Sequence, residues 1–210
     1  MPKYNLGLLI SKECRVKGAC LMGACAVYID GGYLDKVLQH EFGNARICYR
    51  KLSKKIAGRD ELLRAYYYHC LPYQSNPPTE EERARYASKH RFVTALKYLP
   101  RFDVRLGRLG YRGRSEETGE PIFQQKRVDI MLGVDMALLA GKGRISRAAI
   151  LAGDSDFIPA IEVVKQEGVL TTLWHGPSTP LTRPSRELVE ICDERIELTG
   201  EFIAKIGRAD

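Results

Sequence analysis

Two hydrophobic rhythms alternate along the chain. Short apolar runs of the kind a strand buried on both faces requires occur at Ala24 to Ile29, Glu61 to Cys70, Arg147 to Ala152 and Val169 to Trp174. Between them, apolar residues recur at helical spacing. Leu34, Val37, Leu38 and Phe42 fall on one face of a helix predicted from Tyr33 to Phe42, which Gly43 closes. Asn44 is predicted to cap a second helix with Ile47, Leu52 and Ile56 turned inward, and Thr79 with Glu82 has the capping-box spacing that opens a long helix toward Leu99. Phe102 to Leu109 alternates as a further strand, and the Gly- and Arg-rich stretch from Arg105 to Gln125 reads as a basic hairpin. Further helices are predicted at Val128 to Leu139, Ile158 to Glu167 and Pro184 to Cys192. Strands alternating with helices imply right-handed crossovers and a mostly parallel sheet covered on both faces, an α/β fold.

One domain accounts for nearly all of the 210 residues. Its expected span is 22–198, with a poorly ordered extension at 1–21 and a short helical tail at 199–210. In the extension the apolar run Leu6 to Ile10 precedes most of the basic residues and no Ala-x-Ala site follows, the wrong order for a secretory signal. The longest apolar run, Met131 to Leu139, is broken by Asp135, so no membrane span is expected. Six cysteines lack paired spacing and read as reduced thiols of a cytoplasmic protein. A formal net charge of +7 makes a polyanion a reasonable partner. The bases Arg46, Arg50, Lys51, Lys54, Lys55 and Arg59 form either a solvated face or a phosphate-tracking surface.

Carboxylates stand where an open parallel sheet places its ligands, beyond the carboxyl ends of the strands. Asp30 follows the strand Ala24 to Ile29, Asp154 and Asp156 follow Arg147 to Ala152, and Asp129 opens a helix. Singly, each is also a turn or helix-cap residue. Together they would repel one another unless a cation neutralised them, and oxygen-only ligands select Mg2+ or Mn2+. Such an ion activates water and offsets charge on a phosphoryl oxygen, the chemistry of phosphodiester hydrolysis. Asp135 lies six positions past Asp129, about 120° around the helix, so the two cannot point identically at one ion. It is expected to be a ligand, a supporting acid or the partner of a neighbouring loop.

Three segments, Tyr28-Ile-Asp-Gly-Gly-Tyr-Leu34, Lys126-Arg-Val-Asp-Ile-Met-Leu-Gly-Val-Asp135 and Ile150-Leu-Ala-Gly-Asp-Ser-Asp-Phe-Ile-Pro159, resemble the signature segments of NYN domains. These belong to the PIN-like nuclease superfamily, and the likeness extends to its LabA-like branch. Pro184 to Asp193 is similar to the family's final helix. The resemblance implies a PIN-like three-layer sandwich and a metal-dependent ribonuclease. Carried over, Asp30, Asp129, Asp154 and Asp156 would be the catalytic metal-binding acids, with Asp135 matching a second acid of the helical segment. The sequence departs from the family at Tyr33, where Asn is common, and at Arg127, where a small Gly is common. Single-stranded RNA is the expected partner, contacted by Tyr33 as a stacking face and by Arg112, Arg114, Lys126, Arg127 and Ser155; a homo-oligomer is left open. The competing reading is a non-catalytic RNA- or protein-binding module that keeps the acidic pocket. A doubly wound phosphatase is weakened by the missing second acid after Asp30, and a nucleotide-binding P-loop is absent.

Overall fold

A computed structural model describes residues 23–115, 119 and 121–208. The expected extension at 1–21 and the hairpin tip therefore lie outside the described residues. Seven strands form one sheet in the order β4-β3-β2-β1-β5-β6-β7. The strands are β1 (Ala24–Asp30), β2 (Glu61–Cys70), β3 (Phe102–Arg114), β4 (Pro121–Lys126), β5 (Arg147–Leu151), β6 (Leu170–His175) and β7 (Glu194–Glu197). All neighbours pair in parallel except β3 and β4, which form an antiparallel hairpin.

The helices are α1 (Gly31–Glu41), α2 (Tyr49–Ala57), α3 (Glu80–Lys97), α4 (Val128–Gly141), α5 (Ile158–Gln166), α6 (Arg186–Ile191) and α7 (Gly200–Ile206). Because side chains alternate across a strand, β1 feeds two cores at once. Cys25, Val27 and Ile29 meet α1, α2, α3 and α7 on one face, while Ala26 and Tyr28 meet α4, α5 and α6 on the other. The result is the expected three-layer α/β arrangement, consistent with a PIN-like fold. The stretch after residue 199 docks on the first core, where Ile203 and Ile206 are buried.

Two local expectations are corrected. Asn44 does not cap the second helix: it takes a left-handed φ of 58° directly after Gly43 at 57°. Its N–H donates to Leu38 O at 2.8 Å, so it closes α1 instead. The second helix begins five residues later, after Cys48, which makes no side-chain cap, and Ile47 bridges to Gly207. The third strand does not stop at Leu109 but runs on to Arg114, because it pairs antiparallel with β4 from Arg108 to Arg114, and Gly107 sits at a close approach of the two. A Cβ on Gly107 would collide with the Lys126 carbonyl oxygen and the Val128 side chain. The capping box is formed as predicted: Glu82 N donates to Thr79 Oγ1 at 3.2 Å and Thr79 N to Glu82 Oε2 at 3.0 Å.

The strand order fixes the site. The chain winds outward from β1 through β2 and β3, then returns to the other side of β1 with β5 and continues to β6 and β7. The crevice at such a reversal, between the carboxyl ends of β1 and β5, is where open α/β sheets receive ligands. Ile29 pairs with Leu151 there, so Asp30 and the loop after β5 emerge side by side.

Candidate active site

Asp30 ends β1 and begins α1. Its Oδ1 accepts hydrogen bonds from Gly32 N at 2.9 Å and Tyr33 N at 3.2 Å, so it caps the helix whatever else it does. Burial pushes its carboxyl above the ordinary aspartate range, the two N–H donors pull it back, and the nearby Asp129 adds repulsion. Asp129 sits in the first turn of α4. Its carboxyl is raised too, by burial first and then by Asp156 and Asp154. Asp154 caps a single 3-10 turn, Ser155–Phe157, accepting from Asp156 N at 3.2 Å, and both acids are exposed. Thus three chain segments meet electrostatically at Asp129, which acts on Asp30 and is itself acted on by Asp154 and Asp156.

The donor set is oxygen-only, which is the chemistry of a hard divalent cation. A cation would reverse the repulsion that raises Asp129 and contributes to raising Asp30. As the side chains stand, no three His, Cys, Asp or Glu groups among the described residues are gathered closely enough to hold a metal ion. The donors fit the ion in chemistry; they are not drawn in around it.

Asp135 belongs elsewhere. Its Oδ2 accepts from the Tyr68 hydroxyl at 2.9 Å and from Arg105 Nε at 3.0 Å, joining α4 to β2 and β3. The groups whose ionisation it perturbs are Tyr28, Tyr66, Tyr68 and Arg105, none of them in the acidic set. Of the three roles open to it in the sequence, partner of a neighbouring element is the one its contacts fill.

Tyr33 is anchored through its hydroxyl. Its hydroxyl donates to Thr182 O at 2.7 Å and accepts from Gly176 N at 2.9 Å. Its ring lies so close to Gly153 that a Cβ there would collide with it. One side chain thereby ties the start of α1 to the loops after β5 and β6, and burial pushes its phenol up to about 12. His175 is buried at the end of β6 with Nδ1 donating to Gly176 O at 2.7 Å, a structural placement.

The basic residues lie on the β3–β4 hairpin and at the start of α4. Beyond Cys70, β3 outruns β2 and rises with β4 past the sheet edge. Arg112 on this hairpin donates through Nε to Gln124 Oε1 at 2.8 Å. Lys126 and Arg127 are exposed immediately before Asp129, and Ser155 is half-buried beside Asp154. The Arg114 backbone pairs with Pro121, but its side chain lies outside the described residues. Arg127 has a φ of 77°, the left-handed region that glycine takes without strain, which accounts physically for a small residue being suited to this position.

Sequence reasoning missed one network entirely. Asp35 Oδ2 accepts from Lys89 Nζ at 2.7 Å and lies 3.0 Å from His69 Nε2. Burial would raise this carboxyl, but the His69 bond and the Lys89 ammonium outweigh it and hold it below the ordinary range. Asp35 lies on the same helix as Asp30, a signal that was legible; its partners come from β2 and α3, which was not.

Residues 24–199 match the NYN domain family. No curated protein matches the chain. Among solved structures, a protein of unknown function from Vibrio parahaemolyticus is similar in fold, with a TM-score of 0.57 over 88% of this chain and 98% of that one at 18% identity. Among the described residues, no helix is long and apolar enough to cross a membrane.

Proposed function

Because this chain belongs to the NYN domain family, a branch of the PIN-like nuclease superfamily, we propose that it is a metal-dependent ribonuclease of the LabA-like branch acting in the cytoplasm. The observation that carries the reading is the set Asp30, Asp154 and Asp156 at the carboxyl ends of β1 and β5 with Asp129 opening α4, none of them in an ion pair among the described residues, where burial first and neighbouring acids second raise the Asp30 and Asp129 carboxyls.

Asp30, Asp129, Asp154 and Asp156 would hold Mg2+ or Mn2+, which when bound supplies an activated water and offsets charge on the phosphoryl oxygen. The chain's own contributions follow from its contacts. Asp30 is held rigid by capping α1, so its second oxygen has a fixed direction. Tyr33 fixes the loops on either side of that carboxylate. Lys126, Arg127 and Arg112 draw the phosphate backbone along the hairpin wall, while Ser155 offers a hydroxyl beside Asp154. A flexible strand suits a crevice between loops better than a duplex does, which favours single-stranded RNA as the substrate.

A second reading is a non-catalytic RNA- or protein-binding module that keeps the acidic pocket. Labelled single-stranded RNA incubated with Mg2+, Mn2+ or chelator separates the two. The enzyme cleaves only with metal, and Asp30→Asn and Asp154→Asn each lose roughly a hundredfold or more of that rate. Binding without cleavage in every condition favours the module.

A further inference from the structure

Away from the acidic end, α1, the loop before α2, the exposed face of α3 and the segment after α7 line an open cleft of about 710 Å³. That lies within the range of roughly 300 to 1,000 Å³ typical of small-ligand sites. Its charged lining is Arg46, Arg85, Lys89 and Arg208 against a single acid, Asp35. Asp35 is already engaged by Lys89 and His69. The other three cations form no ion pair among the described residues. They arrive from three separate parts of the chain, and the backbone bond from Arg208 N to Arg46 O at 3.0 Å brings two of those parts together.

Three exposed guanidinium groups line one concavity, and their planar forks match phosphate oxygens. The apolar part of the lining includes Phe92, whose ring carries Lys89 Nζ at 5.2 Å from its centroid. An inorganic anion would leave that wall unused, whereas a base or sugar would cover it. We propose that this cleft binds a nucleotide, its phosphate held by Arg46, Arg85 and Arg208 and its base or sugar against the Phe92 wall. The nucleotide is either free or the end of an RNA strand. The second source is geometrically natural: Asp35 and Asp30 share α1, about 8 Å apart along its axis at 1.5 Å per residue. A strand lying across the acidic end would thus have its terminus within reach of the cleft.

Calorimetric titration in chelator, which keeps cations off the acidic end, tests the cleft separately from the nuclease reading. The probes are adenosine monophosphate, adenosine, and a five-nucleotide RNA carrying either a 5′-phosphate or a 5′-hydroxyl. The monophosphate is expected to bind about tenfold or more tightly than adenosine, and Arg46→Ala/Arg85→Ala to lose about tenfold or more while melting as the wild type does. Arg46→Lys/Arg85→Lys keeps the charge, loses the forks and falls between the two. Preference for the 5′-phosphorylated RNA assigns the strand end; binding of the monophosphate without that preference assigns the free nucleotide. Equal binding of monophosphate and adenosine, or no loss in either double variant, overturns the proposal and leaves the nuclease reading standing.

Discussion

The aspartates around the carboxyl edge of the sheet fall into two groups that differ in one respect. Asp35 and Asp135, on opposite faces of the sheet, each have a cation and a second donor within 3.0 Å. Asp30, Asp129, Asp154 and Asp156, at the end between them, have backbone N–H donors, each other, and no ion pair among the described residues. A chain with a surplus of positive charge could have supplied cations to both groups; it compensates only the first. Paired acids tie elements together. Unpaired ones that repel each other cost stability, and such a cost persists where function uses it.

The sharpest division between the groups is in what substitution removes. Asp154→Asn keeps an exposed side chain able to cap the 3-10 turn, so its melting temperature stays near that of the wild type. Metal-dependent cleavage falls by roughly a hundredfold or more, about 3 kcal/mol of barrier. Asp135→Ala does the opposite, leaving the buried Tyr68 hydroxyl without its acceptor. It is expected to cost about 2 kcal/mol by denaturant unfolding. Little of that comes from Arg105, which is 39% exposed, so its ion pair is screened. A large loss of stability in Asp154→Asn, or none in Asp135→Ala, would erase the distinction.

Tyr33→Phe comes next, since it removes one donor and one acceptor from the loops that frame the acids. A loss of about 1 to 2 kcal/mol is expected, with cleavage reduced through loosened positioning. Wild-type cleavage with wild-type stability would show that these segments hold without it.

The smallest effect runs in the opposite direction. Asp30 and Asp129 have folded values above the ordinary 3.8, so the folded chain holds these protons more tightly than the unfolded one. Their contribution is therefore fully present below the unfolded value and lost as pH rises through the folded values. In chelator, Asp129→Asn should be more stable than wild type by less than about 1 kcal/mol at neutral pH, because solvent screens a half-buried carboxyl. The gap should close as pH falls toward about 4. A variant less stable than wild type at neutral pH contradicts the claim that this carboxyl is uncompensated.

What the sequence disclosed follows from how local each feature is. Asp30, Asp154 and the Thr79 capping box are read from their immediate neighbours, and the alternation of strand and helix placed the first two at strand ends on one side of the sheet. Asn44 misled because the same short amide side chain serves a helix start and a left-handed helix end, and only the φ of 58° decides. Gly107 of β3 reads as loop punctuation because its close approach to the Lys126 backbone cannot be seen in one dimension. The contact of Tyr33 with Thr182 spans 149 positions and that of Tyr68 with Asp135 spans 67, and periodicity carries no information about either. Tyr33, which the sequence offers as a substrate contact, also carries a tie to the loop after β6, and Asp135 finds its partners on β2 and β3.

Calorimetric titration of Mn2+ into the wild-type chain and into Asp30→Asn/Asp129→Asn tests most directly whether the unpaired group awaits a cation. Saturable binding to the wild type is expected, with protons released wherever the raised carboxyls are still protonated, and its loss in the double variant with the fold retained. Equal binding to both proteins, or none to the wild type, would contradict it.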